Sequence, residues 1–320
     1  MGIRKKIKHI IHVFNPCAGK GKASKLKKKY EEEGCAYMFE DERDTSVFIQ
    51  EECHKDPDTC FTVYGGDGTV FKAVNALMDS GCNNSASMKI VPMGSGNDFV
   101  RSFEGQEGEM QIDVMGFNNR YAANVVNMGF DCSVVQRAQK HKKNPLVSGK
   151  MAYIFGVVGE LIHKKAMDAR VTLTYADGTQ ETLPENKFLF VAVANGAWYG
   201  GGFKVAPLAK QDDGLLDVMI VKDIKRRTFI SLVSCFKKGT HVDPNTGHLI
   251  DKLKDIAYYK KCVAVSVVGC ESVCADGEIF KESEVNVRII PSAINYIVEK
   301  DVKEARKKQR KKSKKEAVTC

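Results

Sequence analysis

Two glycine-rich segments combine main chain that a ligand could approach closely with carboxylate and hydroxyl side chains. The first is Gly65-Gly66-Asp67-Gly68-Thr69, and the second is Gly94-Ser95-Gly96-Asn97-Asp98-Phe99. Glycine permits positive φ and removes the Cβ atoms that would hold a ligand away from the backbone. A polyphosphate with its magnesium ion suits such a surface, because Mg²⁺ prefers hard oxygen ligands.

The first glycine-rich segment lies between a predicted strand and a predicted helix. Cys60 to Tyr64 reads as a buried strand, and Val70 to Met78 reads as a helix with one apolar face. The N–H groups and partial positive charge at a helix N-terminus favour phosphate. Because its charge repels phosphate, Asp67 would act through a metal or water, or orient a nucleophile. Taken alone, the segment is equally consistent with a plain glycine-rich turn capped by Asp67.

Two more predicted strands, one before and one after this segment, also lead into glycine-containing loops. Met88 to Pro92 predicts a strand that leads into the second glycine-rich segment, where Asn97-Asp98 is expected to cap a helix starting near Phe99. Ile10 to Phe14 predicts another strand, with Asn15 to Gly21 as its exit loop. Three such units predict a parallel sheet with a ligand site at the carboxyl ends of its strands. The chain contains neither the Walker A pattern nor the dinucleotide-binding glycine fingerprint.

These segments, together with motifs in the second half, resemble the diacylglycerol kinase catalytic family, which includes bacterial lipid kinases and the sphingosine kinases. The motifs are Asn15-Pro16 with Gly19, the two glycine-rich segments, Asn195-Gly196, Gly200-Gly201-Gly202-Phe203, Asp213-Gly214-Leu215-Leu216-Asp217-Val218 and Asp276-Gly277-Glu278. They occur in the family's order. The resemblance implies an α/β N-terminal domain with a parallel sheet, of the NAD kinase and phosphofructokinase kind, plus a mainly β-sandwich second domain.

The expected domain organisation follows from this resemblance and from the charge pattern. We expect an ATP-binding α/β domain over residues 1–110, a β-rich lipid-acceptor domain over 111–284 and a return segment to the first domain over 285–302. Residues 303–320 carry nine Lys or Arg and two Glu, which accounts for +7 of the net charge of +9, and predict a disordered tail. That tail could be simply solvated, could contact anionic lipid, or could bind nucleic acid. No specific nucleic acid is expected.

The resemblance also implies roles for individual residues, with ATP as the donor and magnesium as its partner ion. Glu278 is the expected general base for a lipid hydroxyl, Asp67 a second catalytic residue, and Asp98 and Asp113 members of a network of magnesium and water. A further magnesium ion would bind the Asp213 carboxylate and the main-chain carbonyls of Lys210 and Leu215. The expected ATP-binding residues are Asn15, Gly19, Gly65, Gly66, Asp67, Gly68, Thr69, Ser95 and Asn97.

Most of these carboxylates also have a purely structural interpretation. Asp98 could cap a helix, Asp113 could lie at a strand edge, and Asp-Gly before Glu278 is a common type I′ turn. The chain also departs from the family pattern at Phe71-Lys72, where the family has Asn-Glu.

The predicted function is an ATP-dependent lipid kinase that converts diacylglycerol to phosphatidic acid. Alternatives are a kinase for a sphingoid base, ceramide or other lipid alcohol, and a soluble-acceptor kinase of the NAD kinase type. The late Asp276-Gly277-Glu278 motif argues against a soluble acceptor. A non-catalytic nucleotide or membrane binder is a further alternative, because of the Phe71-Lys72 departure.

Composition places the chain among ordinary globular proteins. Hydrophobic residues make up 43% of it, and no apolar run is as long as a membrane span. Eleven scattered cysteines without a Cys-x-x-Cys pair favour reduced thiols over a zinc site. The N-terminus lacks a signal-peptide pattern. We therefore expect a cytoplasmic protein that meets its lipid substrate at the inner membrane surface, and the resemblance is compatible with a homodimer.

Overall fold

A computed structural model describes residues 9–15, 30–31, 36–38, 42–94, 96–130, 132–134 and 166–298 of the 320-residue chain. Gly19, Ser95 and the basic tail lie outside the described residues. Within these ranges, no helix has both the length and the apolar character needed to cross a membrane.

Strands dominate the described part of the chain. Its helices are α1 (Glu42–Lys55), α2 (Asp67–Asp79), α3 (Asp98–Arg101) and α4 (Arg226–Lys238), and a short 3₁₀ helix covers Asp251–Leu253. The strands are β1 (Ile10–Phe14), β2 (Ala36–Met38), β3 (Cys60–Gly65), β4 (Ser87–Pro92), β5 (Gly108–Phe117), β6 (Arg120–Ala122), β7 (Val125–Gly129), β8 (Met167–Asp168), β9 (Arg170–Thr174), β10 (Gln180–Thr182), β11 (Lys187–Ala194), β12 (Trp198–Tyr199), β13 (Phe203–Lys204), β14 (Leu216–Lys222), β15 (Ala257–Cys262), β16 (Ala264–Val268), β17 (Val273–Ala275), β18 (Glu278–Phe280) and β19 (Glu284–Val298).

The N-terminal half is built on a parallel sheet in the order β2, β1, β3, β4. Every residue of β3 is buried, as expected for a central parallel strand covered on both faces. Helix α2 follows β3 directly and buries Val70, Val74 and Leu77 against this sheet. Burial of each such side chain contributes about 1.5–3 kcal/mol, so the apolar face of α2 fixes its position over the strands.

The long strand β19 joins the two halves of the molecule. Its first part pairs antiparallel with β16 and β5, and Asn295 to Ile297 pair in parallel with β4. The pairing with β5 shifts register between Ile290 and Ile294, where Ser292 has a φ of 50°. One sheet therefore runs from the parallel strands of the first half into the antiparallel strands β9, β10 and β16 of the second half.

A second sheet, in the order β15, β14, β11, β7, β17, β18, packs over the antiparallel part of the first. The core between the two sheets contains Val191, Val193, Val218, Val265 and Val287. The predicted fold class, an α/β domain with a parallel sheet plus a β-sandwich, is confirmed. The predicted domain boundaries remain a prediction, and β5, which spans residue 110, belongs to the first sheet.

Helix α4 covers the opposite face of the second sheet. Its buried side chains are Phe229, Leu232 and Phe236, which pack in a separate apolar cluster with residues of β11 and β14. The helix ends at Gly239, whose φ of 75° is the left-handed conformation that glycine adopts at helix C-termini.

Candidate active site

The first glycine-rich segment forms the turn from β3 into α2, as predicted. Of the residues with positive φ, none lies between Gly65 and Gly68, and Gly66 has a φ of −108°. Added Cβ atoms would instead meet neighbours: one on Gly65 would stand 2.3 Å from Thr69 Cβ, and one on Gly68 would stand 2.9 Å from Glu278 Oε1. The segment therefore needs glycine for close packing rather than for the positive φ that glycine permits.

The two glycine-rich segments touch each other. A Cβ atom on Gly66 would lie 2.8 Å from Gly94 Cα, so only glycine fits where the two backbones meet. Asn97 holds this contact in place, because its Oδ1 accepts a hydrogen bond from Gly94 N at 2.9 Å and its Nδ2 donates to Gly94 O at 3.0 Å. The side-chain cap predicted for Asn97-Asp98 is therefore incorrect: Asn97 is in the left-handed conformation at the N-cap and makes no side-chain cap hydrogen bond.

Asp67, the first residue of α2, binds the turn of the second segment. Its Oδ2 accepts a hydrogen bond from Asn97 N at 2.9 Å, and its Oδ1 accepts one from Asp98 N at 2.7 Å. This carboxylate thus fixes the distance between the two segments. At the end of β1, Asn15 Nδ2 donates to Thr69 Oγ1 at 2.8 Å, which brings a third strand end to the same place.

Asp98 connects the second segment to the triple-glycine loop of the other half. Its Oδ2 accepts a hydrogen bond from Gly201 N at 2.6 Å, and its Oδ1 pairs with Arg101 Nη1 at 2.7 Å. Arg101 also donates to Gly96 O at 3.1 Å, and its guanidinium lies 5.1 Å from the centre of the Trp198 ring. Sequence reasoning missed Arg101, although its position three residues after Asp98 on a helix was a readable signal.

Asp113 performs a similar role deeper in the molecule. It is 1% exposed, and its two oxygens accept hydrogen bonds from Gly214 N and Ser292 N at 2.7 and 2.8 Å. Burial raises the pKa of this carboxyl group, against the effect of the two N–H donors. Asp113 N donates to Gln211 O, and Asn195 Nδ2 donates to Asp113 O. The residue thus joins β5, the 211–214 loop and the irregular point of β19.

The turn Asp276-Gly277 links β17 to β18 and places Glu278. Both residues have positive φ, 48° and 96°, as in the type I′ hairpin turn that Asp-Gly predicts. The Asp276 carboxylate accepts hydrogen bonds from three successive main-chain N–H groups, those of Ala123, Asn124 and Val125, at 2.8 to 3.1 Å.

Asp276 is the most perturbed carboxyl group at this junction. Burial raises its pKa to about 6, the three N–H donors oppose that rise, and the charge of Asp67 adds to it. The Asp276 side chain is half-buried and joins the β17–β18 turn to residues 123–125 at the start of β7. Only the turn could be predicted from the sequence, because the three partners of Asp276 lie more than 150 residues away along the chain.

Glu278 extends from β18 over the first turn of α2. Its Oε1 lies 2.9 Å from the position that a Cβ on Gly68 would take. Phe71, one of the two residues that depart from the family pattern, lies in the sandwich core, with its ring 5.9 Å from that of Phe280 on the same strand as Glu278. At Phe71 the departure therefore has a structural role: the ring packs α2 against the strand that carries Glu278.

The predicted magnesium ligands on the 210–215 loop have a competing cation. Asp213 Oδ1 accepts a hydrogen bond from Leu215 N at 3.2 Å, and its Oδ2 pairs with Lys261 Nζ at 3.0 Å. Lys261 also pairs with the fully buried Asp217 at 2.9 Å. Burial opposes the charge on Lys261, but the hydrogen bonds and charges of Asp217 and Asp213 outweigh it and raise the pKa of the lysine.

The oxygen atoms of this loop nevertheless suit magnesium, since a carboxylate and main-chain carbonyls are hard ligands. The ammonium group of Lys261 would weaken binding of a divalent ion to Asp213. Among the described residues, no group of three or more His, Cys, Asp or Glu side chains could hold a metal ion by itself. A metal here would depend on the carbonyl oxygens of Lys210 and Leu215.

The structure brings most of the predicted site residues to one region. The carboxyl ends of β1, β3 and β4 meet the β17–β18 hairpin and the triple-glycine loop, and this region holds Asn15, Gly65, Gly66, Asp67, Gly68, Thr69, Asn97, Asp98 and Glu278. Asp113 and Asp213 belong to a separate part of the junction, around Gly214. Gly19 and Ser95 lie outside the described residues.

An α/β half whose glycine-rich strand ends face a carboxylate from a β-sandwich half defines a kinase of the two-domain type. Residues 9–128 match the diacylglycerol kinase catalytic domain, and residues 124–298, more than half of the chain, match the YegS C-terminal NAD kinase beta sandwich-like domain. The chain therefore belongs to the diacylglycerol kinase-like family of lipid kinases that combines these two domains.

Individual relatives agree with this assignment. A protein of Staphylococcus aureus strain JH9, named as a candidate lipid kinase, is 27% identical over 282 residues, which cover 83% of this chain and 86% of the relative. A structure described as a candidate diacylglycerol kinase from Bacillus anthracis strain Sterne aligns with a TM-score of 0.68 at 20% identity, covering 93% of this chain and all of that one. A second diacylglycerol kinase structure from the same strain aligns with a TM-score of 0.62 at 19% identity, covering 92% and 98%. The two structures establish the similarity of fold.

Proposed function

We propose that this protein transfers the γ-phosphoryl group of ATP to the hydroxyl of diacylglycerol, giving phosphatidic acid and ADP. The observation that carries the proposal is the position of Glu278, whose carboxylate lies over Gly68 in the first turn of α2. A base and a phosphate-binding helix N-terminus then face the same small volume. Phosphoryl transfer needs mainly this kind of positioning, together with neutralisation of charge.

The residues divide the work between donor and acceptor. The N-terminus of α2 would bind the phosphates through its main-chain N–H groups. Gly66 and Gly94 pack backbone against backbone, so no side chain from either would stand between these N–H groups and the triphosphate. Glu278 would accept the proton of the alcohol as its oxygen forms a bond to the γ-phosphorus and the bond from that phosphorus to the ADP oxygen breaks. Asp67 would keep both segments at a fixed spacing.

Magnesium would supply neutralisation of the phosphate charge when bound. Asp67 and Asp98 could hold its water ligands, although both carboxylates also accept main-chain hydrogen bonds. Asp113 lies farther from the glycine-rich segments and would support the junction. We propose Lys210, Asp213 and Leu215 as a second, weaker site for the same ion, beside Lys261.

The acceptor proposal places the protein at a membrane surface, because diacylglycerol resides in bilayers. Peripheral attachment at the inner membrane face, with a contribution from the basic segment at 303–320, is part of the same proposal. The protein could work as a monomer or a homodimer in this setting.

The decisive assay supplies labelled ATP, magnesium and a panel of acceptors: diacylglycerol, ceramide, a sphingoid base, a polyprenol and NAD. We expect label in phosphatidic acid. Glu278→Gln should lower kcat by about 10²–10⁴-fold, with little change in the KM for ATP, because it removes proton transfer but not the phosphate loop. Label in NAD alone, or an unchanged rate for Glu278→Gln, would overturn the proposal.

A further inference from the structure

Helix α4 carries a continuous exposed face that the proposed chemistry does not use. Its outward residues include Arg227, Ile230, Ser231, Ser234, Lys237 and Lys238, which we call the basic stripe. They lie on the side of the helix opposite the buried residues Phe229, Leu232 and Phe236. The sequence of α4, RRTFISLVSCFKK, contains no acidic residue, and Arg227, Lys237 and Lys238 give this face its exposed positive charge.

The centre of the stripe is apolar. Ile230 is 58% exposed, the largest exposed fraction among the large apolar side chains that the described residues leave exposed. Cations lie one turn before it and two turns after it on the same face. The apolar face of α4 packs on the second sheet, so its outer face offers a bilayer one apolar side chain surrounded by cations, which suits contact with acidic head groups rather than deep insertion.

The C-terminal end of α4 is packed against the hairpin that reaches the active site. A Cβ atom on Gly239 would stand 2.8 Å from Lys204 Cδ, and His241 Nε2 donates a hydrogen bond to Val205 O at 3.0 Å. Lys204 is the last residue of β13 and Val205 follows it; β13 pairs with β12. The loop between those strands donates the Gly201 N–H to Asp98. A surface that holds α4 would therefore hold the edge of the candidate active site as well.

We propose that the basic stripe of α4 docks the protein on an anionic lipid bilayer and thereby presents the 198–204 hairpin to the membrane. The proposal rests on the lipid acceptor proposed above. Charge complementarity supplies the attraction, because a bilayer containing acidic lipids has a negative surface potential that acts on Lys and Arg near it. Ile230 would enter the boundary between head groups and acyl chains.

The test compares two triple variants of the full-length chain, both of which keep the segment 303–320. The stripe variant is Arg227→Gln/Lys237→Gln/Lys238→Gln. The control is Arg170→Gln/Lys281→Gln/Arg288→Gln, which removes the same charge from exposed positions on or next to β9, β18 and β19. Glutamine is a good helix former, so α4 should remain folded in the stripe variant.

Binding is measured by flotation with vesicles of phosphatidylcholine containing phosphatidylglycerol, and with vesicles of pure phosphatidylcholine. Each cation near the surface is worth roughly a fivefold change in affinity. We therefore expect the stripe variant to bind anionic vesicles roughly 100-fold more weakly than the control variant. Equal binding of the two variants, or equal binding of the unmodified protein to both kinds of vesicle, would overturn the proposal. So would a loss of affinity for a single-stranded oligonucleotide without a loss for vesicles.

A second readout separates docking from catalysis. The stripe variant should keep the turnover of the unmodified protein on a short-chain diacylglycerol dissolved as monomers, and lose it on diacylglycerol in anionic vesicles. A parallel loss on both forms would contradict a docking role. If the unmodified protein phosphorylates no lipid in either form, the proposed function fails, and the flotation comparison still decides whether α4 binds the bilayer.

Discussion

The carboxylate of Glu278 lies where the side chain of residue 68 would be if that residue were not glycine: its Oε1 is 2.9 Å from the ideal Cβ position on Gly68. The two residues come from different halves of the molecule, one from the first turn of α2 and the other from β18. The absence of a side chain at position 68 therefore makes room for the proposed base.

Gly68→Ala should separate stability from catalysis. Alanine in place of glycine favours a helix by roughly 0.5–1 kcal/mol, so urea denaturation should show an equal or higher free energy of unfolding. Glu278 must move away from the new methyl group, and a displacement of about 1 Å can lower turnover on the order of 100-fold.

A double-mutant cycle tests whether Glu278 mediates this loss. If it does, Gly68→Ala combined with Glu278→Gln is no slower than Glu278→Gln alone. Multiplied losses in the double variant would mean that Gly68→Ala acts through the phosphate loop instead.

Asp98→Asn should loosen the triple-glycine loop. The change removes the ion pair with Arg101 and weakens the acceptor for Gly201 N–H. A hydrogen bond to a charged group is worth about 1.5–3 kcal/mol, so amide hydrogen exchange at Gly201 should accelerate by roughly 10–100-fold. Asp177→Asn is the matched control, because Asp177 accepts its hydrogen bond from Thr179 N in an exposed turn. Unchanged exchange at Gly201 in Asp98→Asn would show that the loop is held by other contacts.

Asp276 should make stability depend on pH in the direction opposite to that of an ordinary ion-paired carboxylate. Burial raises its pKa from 3.8 to about 6, so between these values the folded protein keeps a proton that the unfolded chain has released. The free energy of unfolding contributed by this group therefore falls as pH rises from about 4 to 6, by up to about 3 kcal/mol. Asp276→Asn should remove this component.

The measurement is a series of urea titrations of both proteins from about pH 4 to 7, because the difference between the two curves isolates the titration of one group. Asparagine places an N–H₂ group near three main-chain donors, so the variant should be less stable at every pH. The informative quantity is the slope. Parallel curves for the two proteins would contradict the assignment to Asp276.

Lys261→Met should destabilise the protein by about 1.5–3 kcal/mol, because the fully buried Asp217 loses a charged partner while its hydrogen bond from the Tyr259 hydroxyl remains. The free energy of unfolding is measured by urea denaturation. Lys254→Met is the control: its pair with Asp251 is exposed, and such pairs contribute little.

The same Lys261→Met variant probes the proposed metal site. With the ammonium group gone from Asp213, magnesium should raise the Tm of the variant more than that of the unmodified protein. An equal rise in Tm on adding magnesium to both proteins would contradict a magnesium site on the 210–215 loop.

Local sequence signals predicted much of the fold. Apolar periodicity and the glycine residues at the segment ends predicted the strand β3, the helix α2 and the strand β4. The residue types of Asp276-Gly277 predicted the turn. The connections between the halves could not be predicted in this way. Asp276 meets residues 151 to 153 positions away, and Ser292 meets Asp113 across 179 positions. Such pairs are set by tertiary packing, which no short window of sequence encodes.

Asn97 shows the same limit at short range. Asn and Asp residues before a helix commonly cap it. Here the amide group of Asn97 instead makes two hydrogen bonds to the main chain of Gly94, the residue that packs against Gly66. Phe71 is the reverse case. It looked like a defect in a family motif, and its burial beside Phe280 became visible only in three dimensions.

The pairing of β19 with β4 has a consequence for synthesis on the ribosome. Strand β4 is made early, but its parallel neighbour at Asn295 to Ile297 emerges roughly 200 residues later, which corresponds to about 10–40 s of translation. During that interval the β4 edge of the nascent N-terminal half has unpaired backbone groups, and such edges invite aggregation. A chain interrupted before β19 would lack the strand that covers this edge, so we expect such a fragment to aggregate.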